Sequence, residues 1–250
     1  MIELFSYSLS YQTLSLLFLA AFMVGMAKTG VAGVAMLTVP LMALIFGGKA
    51  SSGLMLPILI MADLFAVKYY HRHANWGYLI KLFPSAALGV IIATFVGNEI
   101  DDRTFMLIMS VVIFISLAIM IWMETANKEV IPDYWWFAIL MGTLGGITTM
   151  IGNLAGTIMA LYLLSMRLPK NEFIGTAAWF FLVINVFKVP FHVYSWETIT
   201  LNSFLLNLTS LPFIAIGAFC GIVLVKRISD KHYRWFVIAM TALAALYMLF

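Results

Sequence analysis

The chain has 250 residues, of which 64% are hydrophobic and 10% charged, against about 45–50% and 25% in ordinary soluble domains. A soluble domain of this length cannot hide so much apolar surface, because it still exposes about a quarter of the surface of its unfolded chain. A water-soluble enzyme, a nucleic-acid-binding protein and a disordered chain are therefore excluded. The formal net charge of +3 decides little until the charges are placed along the chain.

Ten apolar runs follow one another, separated by short polar connectors. Since a helix needs about 20 residues to cross a hydrocarbon core of about 30 Å, the longer runs are predicted to be transmembrane helices. The pattern predicts an all-α polytopic membrane protein. In chain order the runs cover residues 11–27, 31–46, 54–69, 79–97, 104–123, 134–148, 151–166, 173–190, 203–225 and 235–250.

Two pairs of runs fall short of a full span, namely 11–27 with 31–46 and 134–148 with 151–166. Each pair is split by a glycine-bearing break, KTGVAG in the first and TTMIGNLAG in the second. Irregular backbone at membrane depth is tolerated only where protein or a water-filled cavity covers it. We therefore predict two broken helical hairpins with their tips inside the membrane, and leave open whether they cross it fully or are re-entrant.

The charged connectors predict the orientation. If the sides of the membrane alternate from run to run, one side receives ten Lys and Arg residues, and the side that holds the N-terminus receives three. By the positive-inside rule the first side is cytoplasmic, and both termini are periplasmic. The ten are Lys68, Arg72, Lys81, Lys128, Arg167, Lys170, Lys226, Arg227, Lys231 and Arg234, and the three are Lys49, Arg103 and Lys188.

Similar spacings recur in the two halves of the chain. Because each half holds five runs, an odd number, the second copy must lie upside down relative to the first. We predict two inverted-topology repeats, residues 1–125 and 126–250, an architecture that in transporters places the site near the midplane between the repeats. The matched intervals are 20 residues for Gly33–Gly53 and 19 for Gly156–Gly175, and 10 for both Gly53–Asp63 and Gly175–Asn185.

The first tip carries Lys28 and Thr29, followed by Gly30, Gly33 and a new helix. A lysine at membrane depth costs about 2.5–3.5 kcal/mol on insertion scales unless a partner or water relieves it. Snorkelling to an interface is one interpretation. The other is an oxyanion site, because the ammonium, the hydroxyl and the positive end of the following helix dipole converge there.

The second tip offers hydroxyl and amide donors without a fixed charge, from Thr148, Thr149 and Asn153, and Gly156 opens the next helix. Close helix packing would explain the glycine alone. The neighbouring asparagine and threonines favour a role in the site.

Three further polar residues lie inside apolar runs. Asp63 and its repeat mate Asn185 each follow the matched glycine by ten residues. A buried aspartate in a membrane indicates either a proton carrier or the partner of a lysine, here Lys28 or Lys68. Lys188 is expected either to snorkel outward or to add a positive charge along an anion path.

Two stretches carry a family resemblance, GMAKTGVAGVAMLTVPLMALIFGGKASSGLMLPILIMADLFAVKYYHRHANW in the first half and NLAGTIMALYLLSMRLPKNEFIGTAAWFFLVINVFKVP in the second. They resemble the two repeats of the sulfite exporter TauE/SafE family, in the branch with a Lys-Thr-Gly tip. Ala32 and Thr157 stand where this branch is expected to carry proline. The resemblance implies a multi-pass carrier of the bacterial inner membrane that exports sulfite or small organosulfonates.

We therefore predict a secondary transporter of small sulfur oxyanions or organosulfonates such as sulfite, sulfoacetate and taurine-like compounds. An anion-selective channel of the same fold is the alternative, and a structural subunit would give no reason for Lys28. We expect no enzymatic activity, metal, cofactor or nucleic-acid partner; the partners are the small anion and the bilayer, and a homodimer is left open. The predicted anion-binding residues are Lys28, Thr29, Gly30, Gly33, Thr149, Asn153 and Gly156, and the predicted coupling or path residues are Asp63, Asn185 and Lys188.

Overall fold

The computed structural model describes residues 2–31, 34–46, 48–97 and 134–247, together with positions 99, 101, 104, 114, 115, 118, 121, 122 and 125. Most of the predicted run 104–123 and the predicted site residue Gly33 lie outside the described residues.

Ten α-helices make up most of the described chain, and the predicted helical membrane architecture is confirmed at this level. A 3-10 turn at His71–His73 follows α3, and a π-helical turn at Phe191–Ser195 extends α7. The helices are α1 (Tyr11–Lys28), α2 (Val34–Phe46), α3 (Gly48–Tyr70), α4 (Trp76–Val96), α5 (Trp135–Gly152), α6 (Ala155–Ser165), α7 (Lys170–Pro190), α8 (Leu201–Leu208), α9 (Leu211–Lys226) and α10 (Asp230–Tyr247).

A short antiparallel hairpin precedes α1, and the sequence analysis did not predict it. Strands β1 (Ile2–Leu4) and β2 (Tyr7–Leu9) pair with Ile2 opposite Leu9. The two turn residues, Phe5 and Ser6, have φ angles of 48° and 69°. Such turns normally use Gly or Asn, so these two residues gave no turn signal.

Five helical segments of the described chain are long and apolar enough to cross a membrane: Tyr11–Lys28, Ala50–His73, Trp76–Val96, Trp135–Gly152 and Lys170–Ser195. Helices α8 and α9 together form a sixth candidate span that bends by 52°. The predicted single run 203–225 is therefore two helices. Pro212 in the first turn of α9 explains the break, because proline has no N–H to continue the hydrogen-bond ladder of α8.

Both predicted breaks are present. Helix α1 ends at Lys28, and Gly30 has a φ of +124°, where a Cβ atom would also lie only 2.8 Å from side-chain atoms of Ile174 and Val225. Glycine is therefore required at this position. Helix α5 ends at Gly152, and Asn153 caps it in the left-handed conformation with a φ of 58°, one of the few non-glycine residues that tolerate this geometry.

The helices pair closely through small residues. Helix α1 packs against α9, α4 packs against α5, and α3 packs against α7 in the centre. The first two contacts bring backbones together because glycines stand at the crossing points, as in many membrane helix pairs. These glycines are Gly25, Gly217 and Gly221 between α1 and α9, and Gly89, Gly142 and Gly146 between α4 and α5.

Contacts between helix termini define two ends of the bundle. At one end Lys170 Nζ, at the start of α7, donates to the Val225 carbonyl near the end of α9 (3.2 Å). At the other end the Trp196 indole, after α7, donates to the Thr94 carbonyl near the end of α4 (3.1 Å). We call the first end the basic face, since it carries the positive residues Lys68, Arg72, Lys170, Lys226 and Arg227. The described charged residues beside the other end are the acidic Glu3, Glu99, Asp101 and Glu197, and Lys49 in the first turn of α3.

Candidate functional site

The two helix breaks meet at one cavity of about 90 Å³ between α3, α7 and α10. Since one buried water needs roughly 10–15 Å³ of cavity volume, the cavity has room for several waters or for one small polyatomic ion. Apolar side chains make up much of the rest of the wall. Six of the predicted site residues line it: Lys28, Gly30, Thr149, Asn153, Gly156 and Asn185.

An ion pair forms one side of this site. Lys28 Nζ lies 2.9 Å from Asp63 Oδ1, and the Asn185 side-chain amide donates to Asp63 Oδ2 at 2.6 Å. The ammonium also stands 3.9 Å from the centre of the Phe181 ring, a cation–π contact. The interpretation of Lys28 as a snorkelling residue is therefore wrong, and its side chain turns to Asp63 inside the bundle.

A second buried ammonium fixes the second tip. Lys188 Nζ donates to the Thr149 carbonyl (2.9 Å), the Thr149 hydroxyl (3.1 Å) and the Asn153 side-chain oxygen (2.7 Å). Three acceptors match the three N–H bonds of an ammonium group. The Asn153 amide in turn donates to the Ser52 carbonyl on α3 (3.0 Å). Lys188 is fully buried, so the expectation that it snorkels outward is wrong as well.

The charges of this cluster do not cancel. It holds two lysines, Lys28 and Lys188, and one carboxylate, Asp63, which is the only acidic residue buried among the described residues. With all three ionised, the cluster carries one excess positive charge. Buried charges are costly unless they are paired. A small anion in the adjoining cavity would complete the pairing.

The remaining predicted residues take other places. Thr29 does not line the cavity; its hydroxyl lies within hydrogen-bond distance of the carbonyls of Gly25 (3.0 Å), Met26 (3.2 Å) and Ala218 (3.0 Å), so it packs α1 onto α9. Asp63 and Lys188 reach the cavity through the residues they bind. Helix α6 begins at Ala155, and Gly156 in its first turn places free backbone N–H groups beside the cavity.

Three contributors were missed by the sequence analysis. Phe181 and Ser52 stand in runs of similar residues, and no local pattern marks the members that face the site. Tyr233, in the first turn of α10, donates its hydroxyl to the Gly30 carbonyl (2.8 Å) and also lines the cavity. Among the described residues, no group of three or more His, Cys, Asp or Glu side chains could hold a metal ion.

Comparison with known proteins adds one positive result. The family model described as "Sulfite exporter TauE/SafE" matches residues 17–248, which is nearly the whole chain. The match spans both helix breaks and every residue of the buried cluster. No curated protein matches the chain.

Proposed function

The chain belongs to the sulfite exporter TauE/SafE family, and from this premise we propose that it is a secondary transporter that exports small sulfur oxyanions or organosulfonates. The single observation that carries the proposal is the cluster of two lysines and one carboxylate, Lys28, Lys188 and Asp63, beside a cavity of ionic size. A site with more positive than negative groups attracts a small anion and repels cations.

Each polar group has a role in the proposed site. The Lys28 ammonium can donate to the anion, because Asp63 takes only one of its three N–H bonds. The Thr149 hydroxyl accepts from Lys188 and keeps its own proton to donate. Free N–H groups at the start of α6, beside Gly156, and the dipole of that helix favour negative charge. Lys188 does not donate to the anion, because three protein acceptors take its N–H bonds. It contributes the electrostatic attraction of its positive charge.

Packing supports the proposed inverted repeats, residues 1–125 and 126–250. The paired contacts α1–α9 and α4–α5 exchange under a two-fold relation that maps α1 onto α5 and α4 onto α9. The two glycines at matched positions of the repeats, Gly53 and Gly175, also have equivalent contacts. Gly53 lies against Thr198, which follows α7, and Gly175 lies against Tyr70 and His73 at the end of α3. The repeat mates Asp63 and Asn185 meet in the middle.

The proposed carrier mechanism is favoured over a channel by the wall between the cavity and the basic face. Gly30 lies in this wall, beside the side chains of Ile174 and Val225. The Tyr233 hydroxyl donates to the Gly30 carbonyl. A channel needs a continuous open path across the membrane. A carrier that works by alternating access keeps this path closed on at least one side of the binding site.

We propose that the basic face is cytoplasmic and that both termini are periplasmic in the bacterial inner membrane. Single cysteines at Arg72 and Arg227, in a Cys220→Ala background, should react with an impermeant maleimide only after the cells are opened. Cysteines at Glu3 and Glu99 should react in intact cells. Labelling of the first pair from outside would overturn the orientation.

A thermal-shift screen tests the ligand class. Sulfite, sulfoacetate, taurine, thiosulfate and sulfate are added in turn to the purified protein. A ligand that binds only the native state adds about 2.7 kcal/mol of stability at 100 times its Kd. We expect stabilisation by one or more of the sulfur anions and none by choline, a cation of similar size. Stabilisation by none of the anions would contradict the proposal.

A further inference from the structure

A second cavity, of about 360 Å³, opens at the basic face between the end of α3, the start of α7 and the end of α9. Its wall is rich in positive and hydrogen-bond-donating groups, and none of the residues that line it is acidic. We call it the basic cleft. Its lining residues are Tyr69, Tyr70, His73, Lys170, Asn171, Val225 and Lys226.

One lysine of the basic cleft is held in place by the fold, and a second stands over an aromatic ring. Lys170 Nζ donates to the carbonyls of Val225 (3.2 Å) and Ile228 (2.5 Å), which satisfies the C-terminal end of α9 and leaves one N–H bond. The Lys226 ammonium stands over the Tyr69 ring, 5.2 Å from its centre. The fold thus fixes the charge of Lys170 in the cleft, and Lys226, which is exposed, adds a second positive charge.

One layer of residues separates the basic cleft from the central cavity. Val225 lines the cleft, and one of its methyl carbons lies only 2.8 Å from the place where a Cβ atom of Gly30 would be. Gly30 lines the central cavity on the other side of this layer. The layer is completed by Tyr233, whose hydroxyl bonds to the Gly30 carbonyl (2.8 Å).

We propose that the basic cleft is a second oxyanion-binding site, which takes up the same small anion from the basic face and delivers it to the central cavity when the Tyr233–Gly30 contact opens. The inference rests on the proposed function for the identity of the ion. A lipid phosphate offers similar chemistry. A free ion is favoured because the cleft leads inward to Tyr70, which is buried, and to the wall of the central cavity.

The binding test uses the double variant Lys28→Met with Asp63→Asn, in which the central site is weakened and no carboxylate is left without its partner. Labelled sulfite is titrated against this protein in detergent at low and high salt. We expect residual binding that weakens with salt, since the cleft is partly open to solvent. Adding Lys226→Gln should lower this residual affinity roughly two- to fivefold, the effect of one partly exposed charge. Adding Arg227→Gln is the matched control, because Arg227 is the next residue but does not line the cleft.

Flux measurements test the delivery step. In phosphatidylcholine proteoliposomes, Lys226→Gln should raise the KM for sulfite offered to the basic face roughly two- to fivefold and leave kcat nearly unchanged. Arg227→Gln should change neither value. Equal effects of the two substitutions, or no residual binding in the double variant, would overturn the second site.

These experiments distinguish a lipid headgroup in the basic cleft from a failure of the proposed transport function. If phosphatidylglycerol in the bilayer removes the difference between Lys226→Gln and the wild-type protein, a headgroup occupies the cleft and the inference is overturned. Absence of wild-type flux and of any sulfite-induced stabilisation would defeat the proposed function. Wild-type flux that does not respond to Lys226→Gln would defeat only the second site.

Discussion

Replacement of Lys28 by methionine is expected to lower the affinity for the transported anion by about ten- to a hundredfold. The side chain supplies a charge-assisted hydrogen bond to the anion, and such a bond contributes about 1.5–3 kcal/mol. Lys28→Arg should keep the charge but not the full affinity, because the larger planar guanidinium places its charge and N–H groups differently from the compact ammonium. Isothermal titration with the best ligand of the screen measures all three proteins.

A matched double variant separates binding from stability. In Lys28→Met alone, Asp63 keeps a buried charge without its partner, and removal of one member of a buried pair costs about 3–5 kcal/mol. The double variant Lys28→Met with Asp63→Asn removes both charges and should recover thermal stability. We expect it to bind the anion as poorly as Lys28→Met. Recovery of affinity together with stability would show that Lys28 supports the fold and does not bind the anion.

Asp63→Asn alone is expected to reduce flux driven by a pH gradient at least about tenfold, while anion exchange is partly retained. The amide resembles the protonated acid, so Lys28 stays available to the anion in this variant, but no proton can be taken up or released. In the wild-type protein the same release of Lys28 would require protonation of Asp63, which is how the ion pair could couple anion and proton movement.

Glu172→Gln is the control for Asp63→Asn, because Glu172 is an acid at the basic face outside the buried cluster. Gradient-driven flux and exchange are measured in the same proteoliposomes. The control should behave as the wild-type protein does in both assays. If Asp63→Asn loses expression, binding and exchange to the same degree, Asp63 is a structural counter-ion and the coupling role is contradicted.

Much of the site follows from composition and spacing. Apolar runs interrupted by glycine predict the helix breaks at Gly30 and Asn153, because a membrane makes every break expensive. The equal spacings of ten residues, Gly53–Asp63 and Gly175–Asn185, indicate that Asp63 and Asn185 are equivalent, and the structure places them in contact. A charged residue in an apolar run must find a partner, which is why Lys28 could be selected without a structure.

The partners themselves could not be predicted. Lys188 binds Thr149 and Asn153, 39 and 35 residues away, and this choice depends on the rotation of α7 against the second break. Thr29 is adjacent to Lys28 in sequence, yet consecutive helical side chains point about 100° apart, so its hydroxyl reaches α9 instead of the cavity. The closure of Tyr233 on Gly30 spans 203 residues and leaves no periodic signal.

Counterflow of labelled sulfite into proteoliposomes tests most directly whether this protein is a sulfur-anion carrier that works through Lys28. Vesicles loaded with unlabelled sulfite should accumulate the label transiently above equilibrium with the wild-type protein, and should fail to do so with the double variant Lys28→Met with Asp63→Asn. Wild-type flux that only runs down the gradient and ignores internal sulfite would indicate a channel. Equal accumulation by the double variant would contradict the assignment of the anion site to Lys28.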